Sequence, residues 1–209
     1  MGDKGERTRK HILEMAFQLF SAQGYTSVSM QDICTACGLS KGGLYRYYDS
    51  KDGVFLDLLQ QFQAEEDDAE KQAMVSGLPA CAVLEAFFER TRAGLTAAAP
   101  NLNIALYEFC IAHRNDRGPE LLQKQYERGR KLLLRLIEYG CKSGEFAAER
   151  PEDAADTILL LFEGLKMTNE VMPLEAPVTD RVFRQVRSML GAAAPETGRG
   201  KEAAAARIF

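Results

Sequence analysis

The sequence predicts an all-α chain built from two helical domains, and three observations support this. Apolar residues recur at the three- and four-residue spacing of amphipathic helices in most segments. Ser, Gly and Pro stand where those segments begin and end, as they do at helix boundaries. The length of 209 residues, 46% of them hydrophobic, suits one small and one medium domain. We expect these domains over residues 1–52 and 53–191, with a loose tail over 192–209.

The first helix is predicted from about Arg7 to Gln23, because an apolar stripe runs along it and Gly24 follows. The stripe consists of Ile12, Leu13, Ala16, Leu19 and Phe20. Three basic residues crowd its N-terminal turn: Arg7, Arg9 and Lys10. Cations at that end oppose the helix dipole, so a nearby phosphate would explain them. Ordinary surface charge is the alternative, and the sequence leaves both open.

Residues 26–51 contain the pattern of two short helices joined by a tight turn. Ser29 and Asp32 have the spacing of a capping box, which begins the first of them, and Gly38 supplies its left-handed stop. The second helix is predicted from Lys41 to about Tyr48. A glycine-containing connection this short is typical of DNA-binding helix pairs whose second member enters the major groove.

A longer helix is predicted from Lys51, where Ser50 can cap it. The acidic run at residues 65–70 is expected to be a solvated face or a frayed end. Further apolar patterns predict helices at about 80–98, 101–113, 119–142, 151–167 and 177–190. The helix over 101–113 is apolar around much of its circumference, so we expect it to be the most buried.

Charge is divided unevenly along the chain, whose formal net charge is −4. Residues 1–51 hold seven Lys/Arg and five Asp/Glu, whereas residues 52–209 hold 19 and 25. This balance argues against a protein that coats nucleic acid indiscriminately. It permits a small basic footprint on an acidic body.

Several classes of protein are excluded by what the sequence lacks. It has no run of 18 apolar residues and no apolar region near its start, so we expect neither a membrane partner nor a secretory signal. Its five cysteines lack the spacing of a disulfide framework, which favours a cytoplasmic location. There is no phosphate loop, catalytic carboxylate pair or metal-ligand spacing, so we expect no enzyme, cofactor or metal.

Cys34 and Cys37 form a C-x-x-C motif that admits more than one interpretation. Zinc would need two more ligands, and the only histidines, His11 and His113, are distant in sequence. Both cysteines fall on the inward face of the first short helix, so we interpret them as small buried hydrophobes. A redox switch on DNA binding is the alternative.

The run over residues 24–55 resembles the N-terminal DNA-binding domain of the TetR family of bacterial transcription regulators. The matching pieces are Gly24-Tyr25, Ser29 with Asp32-Ile33, Gly38-Leu39-Ser40, Lys41-Gly42, Leu44-Tyr45 and Ser50-Lys51. The likeness covers roughly the first 60 residues, and beyond them only the helical plan and the length match. It implies a three-helix helix-turn-helix domain followed by a larger helical ligand-binding and dimerisation domain.

The resemblance implies that DNA is contacted by Thr26, Ser29, Ser40, Lys41, Gly42, Gly43, Tyr45, Arg46, Tyr47 and Lys51. Hydroxyl groups and a helix N-terminus at Thr26 and Ser29 suit a phosphate. Lys41 can reach the O6 and N7 atoms of guanine. Tyr45 and Tyr47 suit phosphates or thymine methyls. Lys51 suits a phosphate at the groove edge.

Gly43 departs from the family pattern, because many relatives carry Thr or Ala there. Glycine has no side chain to touch a base, and it costs a helix about 1 kcal/mol relative to alanine. Our hypothesis is that the second short helix orders fully only on DNA. Specificity would then rest on Lys41, Arg46 and Tyr47.

The larger domain contains two sets of candidate residues. Small-molecule pockets are mostly apolar with few polar groups, which suggests Phe88, Asn103, Tyr107, Phe109, His113 and Tyr126 as ligand-binding residues. Structural packing is the competing interpretation of the same residues. Relatives dimerise through their last two helices, which implies an interface formed by Ile158, Phe162, Leu165, Val182, Phe183 and Val186.

The function that these expectations describe is a ligand-responsive transcriptional regulator, most simply a repressor. A homodimer would bind a palindromic operator in double-stranded DNA and be released by a small, largely apolar effector. The alternative is a helical ligand-binding or interaction protein that does not read DNA. An enzyme using Cys34 and Cys37 as a thiol pair has less support, since a thioredoxin-like setting is absent.

Overall fold

A computed structural model of the chain describes residues 3–61, 76–95 and 100–192. Every regular element in these ranges is an α-helix, which confirms the all-α prediction. The helices are α1 Asp3–Ser27, α2 Met30–Cys37, α3 Lys41–Tyr45, α4 residues 51–61, α5 Ala80–Gly94, α6 Asn103–Ala112, α7 Gly118–Ser143, α8 Pro151–Val171 and α9 Ala176–Leu190. The acidic run at 65–70 and the tail from 193 onwards lie outside the described residues.

The chain packs as two compact units, and the first is discontinuous in sequence. Its described residues are 3–61 and 100–119, and those of the second are 76–95 and 120–192. By packing, the first unit therefore extends past the boundary expected at residue 52 and contains α4 and α6 as well as α1–α3.

The first unit is built around a break in α1 at Gly24. Gly24 has φ 75° and ψ 174°, so the regular helix ends there as the sequence predicts, and one further turn follows. A Cβ at this position would lie 2.6 Å from Oε2 of Glu108 on α6. The same Oε2 accepts a hydrogen bond from the Thr26 backbone N–H at 2.8 Å. A carboxylate of α6 thus satisfies a backbone group that the break leaves free.

The core of this unit is a cluster of aromatic rings from α1, α4 and α6. Phe55 packs edge-on against Phe20 at a centroid distance of 5.1 Å, and Tyr25 packs edge-on against Phe109 at 5.1 Å. Phe20, Phe55 and Phe109 are completely or almost completely buried. Edge-to-face pairs at this distance are favourable beyond their buried area, so the cluster fixes α6 to α1 and α4.

The second unit has its own core, in which α5, α8 and α9 meet. Phe88 stacks on Phe183 with ring centroids 4.6 Å apart, and Phe162 lies 5.9 Å from Phe183. At its edge, Arg187 donates two hydrogen bonds to the carboxylate of Glu85, at 2.6 and 2.7 Å. Paired, fork-shaped contacts of this kind fix orientation as well as adding stability.

The six residues predicted to form a dimer interface lie instead in or against this core. Five of the six have at most 6% exposure, because they belong to the core cluster that α8 and α9 form with α5 and α7: Ile158, Phe162, Leu165, Phe183 and Val186. Val182 is partly buried against the same cluster. The apolar pattern therefore identified the inner face of α8 and α9.

In the part of the chain that the structure describes, no helix combines the length and apolarity that a membrane crossing requires.

Candidate nucleic-acid interface

The first short helix, α2, is held by the capping box that its sequence predicts. The Ser29 side chain accepts from the Asp32 N–H, and the Asp32 carboxylate accepts from the Ser29 N–H at 2.8 Å. The Ser29 hydroxyl also donates to that carboxylate at 2.6 Å. These hydrogen bonds, with the Ser29 side chain as the main cause, lower the pKa of Asp32.

The turn between the helices is set by Gly38 and Ser40. Gly38 adopts the left-handed conformation at φ 65°, and the Leu39 N–H donates to the Cys34 carbonyl at 3.0 Å. The Ser40 hydroxyl accepts from the Gly43 N–H at 3.1 Å and so caps α3. Leu44 is fully buried and anchors α3 to the unit.

The helix after the turn is shorter than the sequence predicts. It ends at Tyr45, and both Tyr47 and Tyr48 then donate their N–H groups to the Leu44 carbonyl, at 2.9 and 3.2 Å. The hydrogen bond from Tyr47 to Leu44 spans three residues, as in a 3₁₀ turn, and tightens the chain at this point. The recognition helix α3 is therefore a single helical turn with a buried anchor.

The exposed side of α3 presents three of the ten predicted DNA contacts, and Arg46 follows directly after the helix. Lys41, Gly42, Tyr45 and Arg46 are all exposed, with Tyr45 40% accessible. The Lys41 ammonium lies 5.8 Å from the centroid of the Tyr45 ring, as expected for residues one turn apart on one face. This face carries a cation and a phenol, and a second exposed cation follows at Arg46, which suits a surface that meets phosphates and base edges.

Gly43 is half-buried and lies at the edge of that face. A Cβ there would be 3.3 Å from the Ser40 hydroxyl oxygen, which is the atom that caps the helix. By contrast, nothing lies within 4 Å of a Cβ at Gly42. A side chain at position 43 would therefore crowd the hydroxyl that caps α3, a constraint that the sequence position alone did not indicate.

Two of the predicted phosphate contacts have partners within the unit. The Thr26 N–H donates to Glu108, although the residue itself is exposed. The Lys51 ammonium donates to the Tyr25 carbonyl at 2.8 Å and lies 4.1 Å above the Tyr25 ring. Burial lowers the pKa of Lys51. Lys51 begins α4 and Tyr25 lies near the end of α1, so this contact links the two helices, and a role of Lys51 at a phosphate stays a prediction.

Cys34 and Cys37 are both buried free thiols on the inner side of α2. Burial, with a smaller effect of Cys34, raises the pKa of Cys37. A thiol held protonated is a poor nucleophile, so the packing interpretation is favoured over a redox switch. In the described residues, no group of three or more His, Cys, Asp or Glu side chains is placed to hold a metal ion.

Comparison with known proteins agrees with this geometry over both units. The family model "Bacterial regulatory proteins, tetR family" matches residues 12–58, and the model "Tetracyclin repressor-like, C-terminal domain" matches residues 83–177. The chain belongs to the TetR family. It is a transcriptional regulator with a helix-turn-helix DNA-binding domain.

Several TetR-family relatives and structures show how far the likeness extends. The transcriptional repressor KstR2 of Rhodococcus jostii is 29% identical over 150 residues, which is 71% of each chain. The regulator AcrR of Shigella flexneri is 33% identical over 145 residues, covering 65% of this chain and 66% of AcrR. The structure of reduced E. coli NemR matches with a TM-score of 0.76 at 18% identity, covering 91% of this chain and all of NemR.

The predicted effector residues of this TetR-family protein are divided between the two units. Phe109 is buried in the aromatic core of the first unit and Phe88 in that of the second. In the second unit, the Tyr126 hydroxyl donates to Asp156 at 2.9 Å. Asn103 and Tyr107 lie on α6 and are half-buried. For Phe88 and Phe109, packing is the interpretation that the structure supports.

His113, the sixth predicted effector residue, lies between two carboxylates of the first unit. Its Nε2 is 3.3 Å from Asp52 and its Nδ1 is 3.4 Å from Asp116. Asp52 also accepts from the Tyr25 hydroxyl and pairs with Arg117 at 3.1 Å. His113 therefore serves the packing of α6 against the start of α4, which sequence spacing could not reveal.

A shallow cavity of about 190 Å³ lies on the first unit of this TetR-family chain, between α1 and α4. It is lined by Lys10, Leu13, Glu14, Phe17, Gln18, Leu58 and Gln61. None of the six predicted effector residues lines it.

Proposed function

We propose that this chain is a homodimeric repressor that binds a palindromic operator and is released by a small, largely apolar effector. The observation that carries the proposal is the exposed face of α3. Lys41 and Tyr45 lie one turn apart on a helix fixed by a serine cap and by buried Leu44, and exposed Arg46 follows that helix directly. An exposed helix face is what a recognition helix needs in order to contact base edges.

The contacts proposed for this face follow from its chemistry. Lys41 would donate to guanine, and Tyr45 and Arg46 would contact phosphates or thymine methyls. Two copies of α3 would occupy successive major grooves about 34 Å apart, which requires a twofold-symmetric operator. Ser29, at the exposed N-terminus of α2, would add a phosphate contact only by redirecting its hydroxyl, which donates to Asp32.

The dimer is proposed to use the outer face of α8, which is nearly free of charge. Exposed residues recur there every three or four positions: Thr157, Leu160, Gly164, Thr168 and Val171. Leu160 is 60% and Val171 82% accessible, and nothing lies within 4 Å of a Cβ at Gly164. Large apolar side chains around an open glycine allow close approach of a partner helix, and an isologous contact would bury the whole stripe twice.

Effector release requires an affinity difference between two states of the dimer. The effector would bind the larger unit and favour a spacing of the two recognition helices that no longer fits the operator. A ligand that bound both spacings equally would not shift the equilibrium.

Selection from the source genome tests DNA binding directly. Sheared genomic DNA is incubated with immobilised protein, and retained fragments are sequenced and measured by fluorescence anisotropy. We expect one or a few fragments with a palindrome. Lys41→Ala and Tyr45→Ala should each weaken binding about tenfold or more, which corresponds to roughly 1–3 kcal/mol for a good base contact.

The control variant is Lys131→Ala, which removes an exposed lysine from α7 in the other unit. It should bind the operator as the unaltered protein does. If no fragment is enriched, the alternative of a helical binding protein that does not read DNA replaces the proposal.

The dimer is tested separately by light scattering. Leu160→Glu places two like charges at a symmetric contact and should convert the dimer to monomer. Leu122→Glu alters an exposed leucine of α7, 39% accessible, and should leave the mass unchanged. A dimeric Leu160→Glu protein would show that another surface forms the interface.

A further inference from the structure

The carboxylate of Asp57 on α4 joins three elements of the DNA-binding unit. It accepts hydrogen bonds from both Nε (2.9 Å) and Nη2 of Arg9 on α1. It also accepts from the hydroxyl of Tyr48, which follows α3 in the chain. The Asp57 side chain is 16% accessible, so this junction is largely shielded from water. Charge-assisted hydrogen bonds in such a setting are stronger than neutral ones.

The recognition helix depends on contacts of this kind because it is weak by itself. It spans five residues, two of which are glycines. Each glycine costs about 1 kcal/mol of helix propensity, and a single turn has no cooperative length. Its N-terminal end is fixed by the Ser40 cap, and Leu44 fixes its middle. Beyond Tyr45 the chain needs an anchor of its own.

Tyr48 supplies that anchor. Its residue is 8% exposed, and its hydroxyl is directed to Asp57. Burial, and then the hydrogen bond to Asp57, raises the pKa of Tyr48, so its phenol remains a neutral donor. The Asp57 carboxylate on α4 therefore determines where Tyr48, and with it the segment after α3, lies.

Arg9 completes the junction as the counter-charge. Its side chain is 54% accessible, but its guanidinium is engaged in a two-point contact with Asp57. The sequence left open whether the basic residues at the start of α1 meet a phosphate. For Arg9, the geometry favours an internal role over a DNA contact.

We propose that Asp57 is a positioning residue for DNA recognition, which orients α3 through Tyr48 and uses Arg9 as its internal counter-ion. The inference rests on the proposed DNA-binding function. It assigns to three residues outside the exposed face of α3 a role in operator discrimination.

The test compares binding to the selected operator with binding to a random 30-base-pair duplex, each over a range of salt concentrations. A phosphate contact contributes to both duplexes and adds roughly 0.9 to the slope of log K against log salt. A positioning residue alters the preference for the operator and leaves that slope unchanged. The variants are Asp57→Asn, Tyr48→Phe and Arg9→Gln.

We expect Asp57→Asn to lower operator affinity about tenfold and Tyr48→Phe several-fold, with random-duplex affinity and both slopes unchanged. Arg9→Gln should also lower operator affinity without changing the slope. Glu120→Gln removes an exposed carboxylate paired with Lys124 at 2.6 Å and serves as the control. It should change neither quantity.

Two outcomes would overturn the proposal. A slope reduced by about 0.9 in Arg9→Gln would identify Arg9 as a phosphate ligand, and unchanged operator affinity in Tyr48→Phe would remove the positioning role. Tyr48→Phe loses only a hydroxyl, so it remains informative if Asp57→Asn does not fold. If the unaltered protein selects no operator, the proposed function fails, whereas an operator bound equally by all variants contradicts only this inference.

Discussion

Replacing Gly42, the first of two adjacent glycines in α3, by alanine should stabilise the protein and weaken its DNA binding. At Gly42, nothing lies within 4 Å of an added Cβ, and the residue is exposed. Gly42→Ala should therefore gain most of the helix propensity of alanine, about 0.5–1 kcal/mol. The same methyl would project from the face that is proposed to approach DNA.

Gly43→Ala should give a smaller gain in stability. Its Cβ would lie 3.3 Å from the Ser40 hydroxyl oxygen, which has to move by a few tenths of an ångström. Because an N-cap hydrogen bond contributes about 1 kcal/mol, even partial weakening offsets the propensity gain. We therefore expect Gly42→Ala to be the more stable variant and Gly43→Ala to be close to the unaltered protein.

The assay is urea unfolding followed by circular dichroism, paired with operator binding by anisotropy. We expect Gly42→Ala to lower operator affinity about tenfold while its unfolding free energy rises. Gly94→Ala, on the exposed end of α5 with open space around its Cβ, is the control that should not affect DNA binding. A Gly42→Ala protein that is less stable, or that binds the operator as tightly as before, would refute the reasoning.

Strong amide protection of residues 41–47 in the free protein would exclude the hypothesis that α3 orders fully only on DNA.

Three further predictions concern the packing of each unit. Glu108→Ala should lower the unfolding free energy by about 1–2 kcal/mol, because the Thr26 N–H loses its acceptor, and Glu108→Gln should recover part of this loss in urea titrations. The Glu145 carboxylate accepts hydrogen bonds from the Ala80 and Cys81 N–H groups. Burial acts to raise the pKa of Glu145, but the hydrogen bonds outweigh it and bring the pKa below the usual 4.5. The contribution of Glu145 to stability is therefore complete above pH 4.5 and is lost as the pH falls through its lowered pKa. Glu145→Gln should flatten that part of a plot of unfolding free energy against pH. An unchanged plot would contradict the capping role of Glu145 at the start of α5. In thiol titration of the native protein, half-buried Cys81 and Cys141 should react before buried Cys34 and Cys37, and equal rates would argue for a reactive C-x-x-C pair.

Local signals predicted the recognition elements well. The Ser29–Asp32 capping box and Gly38 act within a few residues of one another, so their spacing alone specifies α2 and the turn. Apolar periodicity likewise identified the α8 and α9 faces that carry Phe162 and Phe183. It could not show whether those faces meet α5 or a second chain, because both environments select the same residues.

Contacts between distant residues were the part that the sequence did not reveal. Asp57 pairs with a residue 48 positions earlier, and Glu108 with one 82 positions earlier. On a sequence, each is an ordinary acidic residue on a helix. Lys51 shows the same difficulty, since its sequence position suggested a phosphate contact and gave no sign of the hydrogen bond to the Tyr25 carbonyl.

The discontinuous first unit has a consequence for building chimeric regulators. A junction at residue 52 would separate α1–α3 from the α6 that supplies Glu108 and Phe109 to them. A foreign residue at position 108 would meet Gly24, whose positive φ and missing side chain fit a carboxylate at close range. A transplanted DNA-binding module should therefore carry residues 100–119 along with residues 3–61. Among natural relatives, the residues at positions 24 and 108 should vary together.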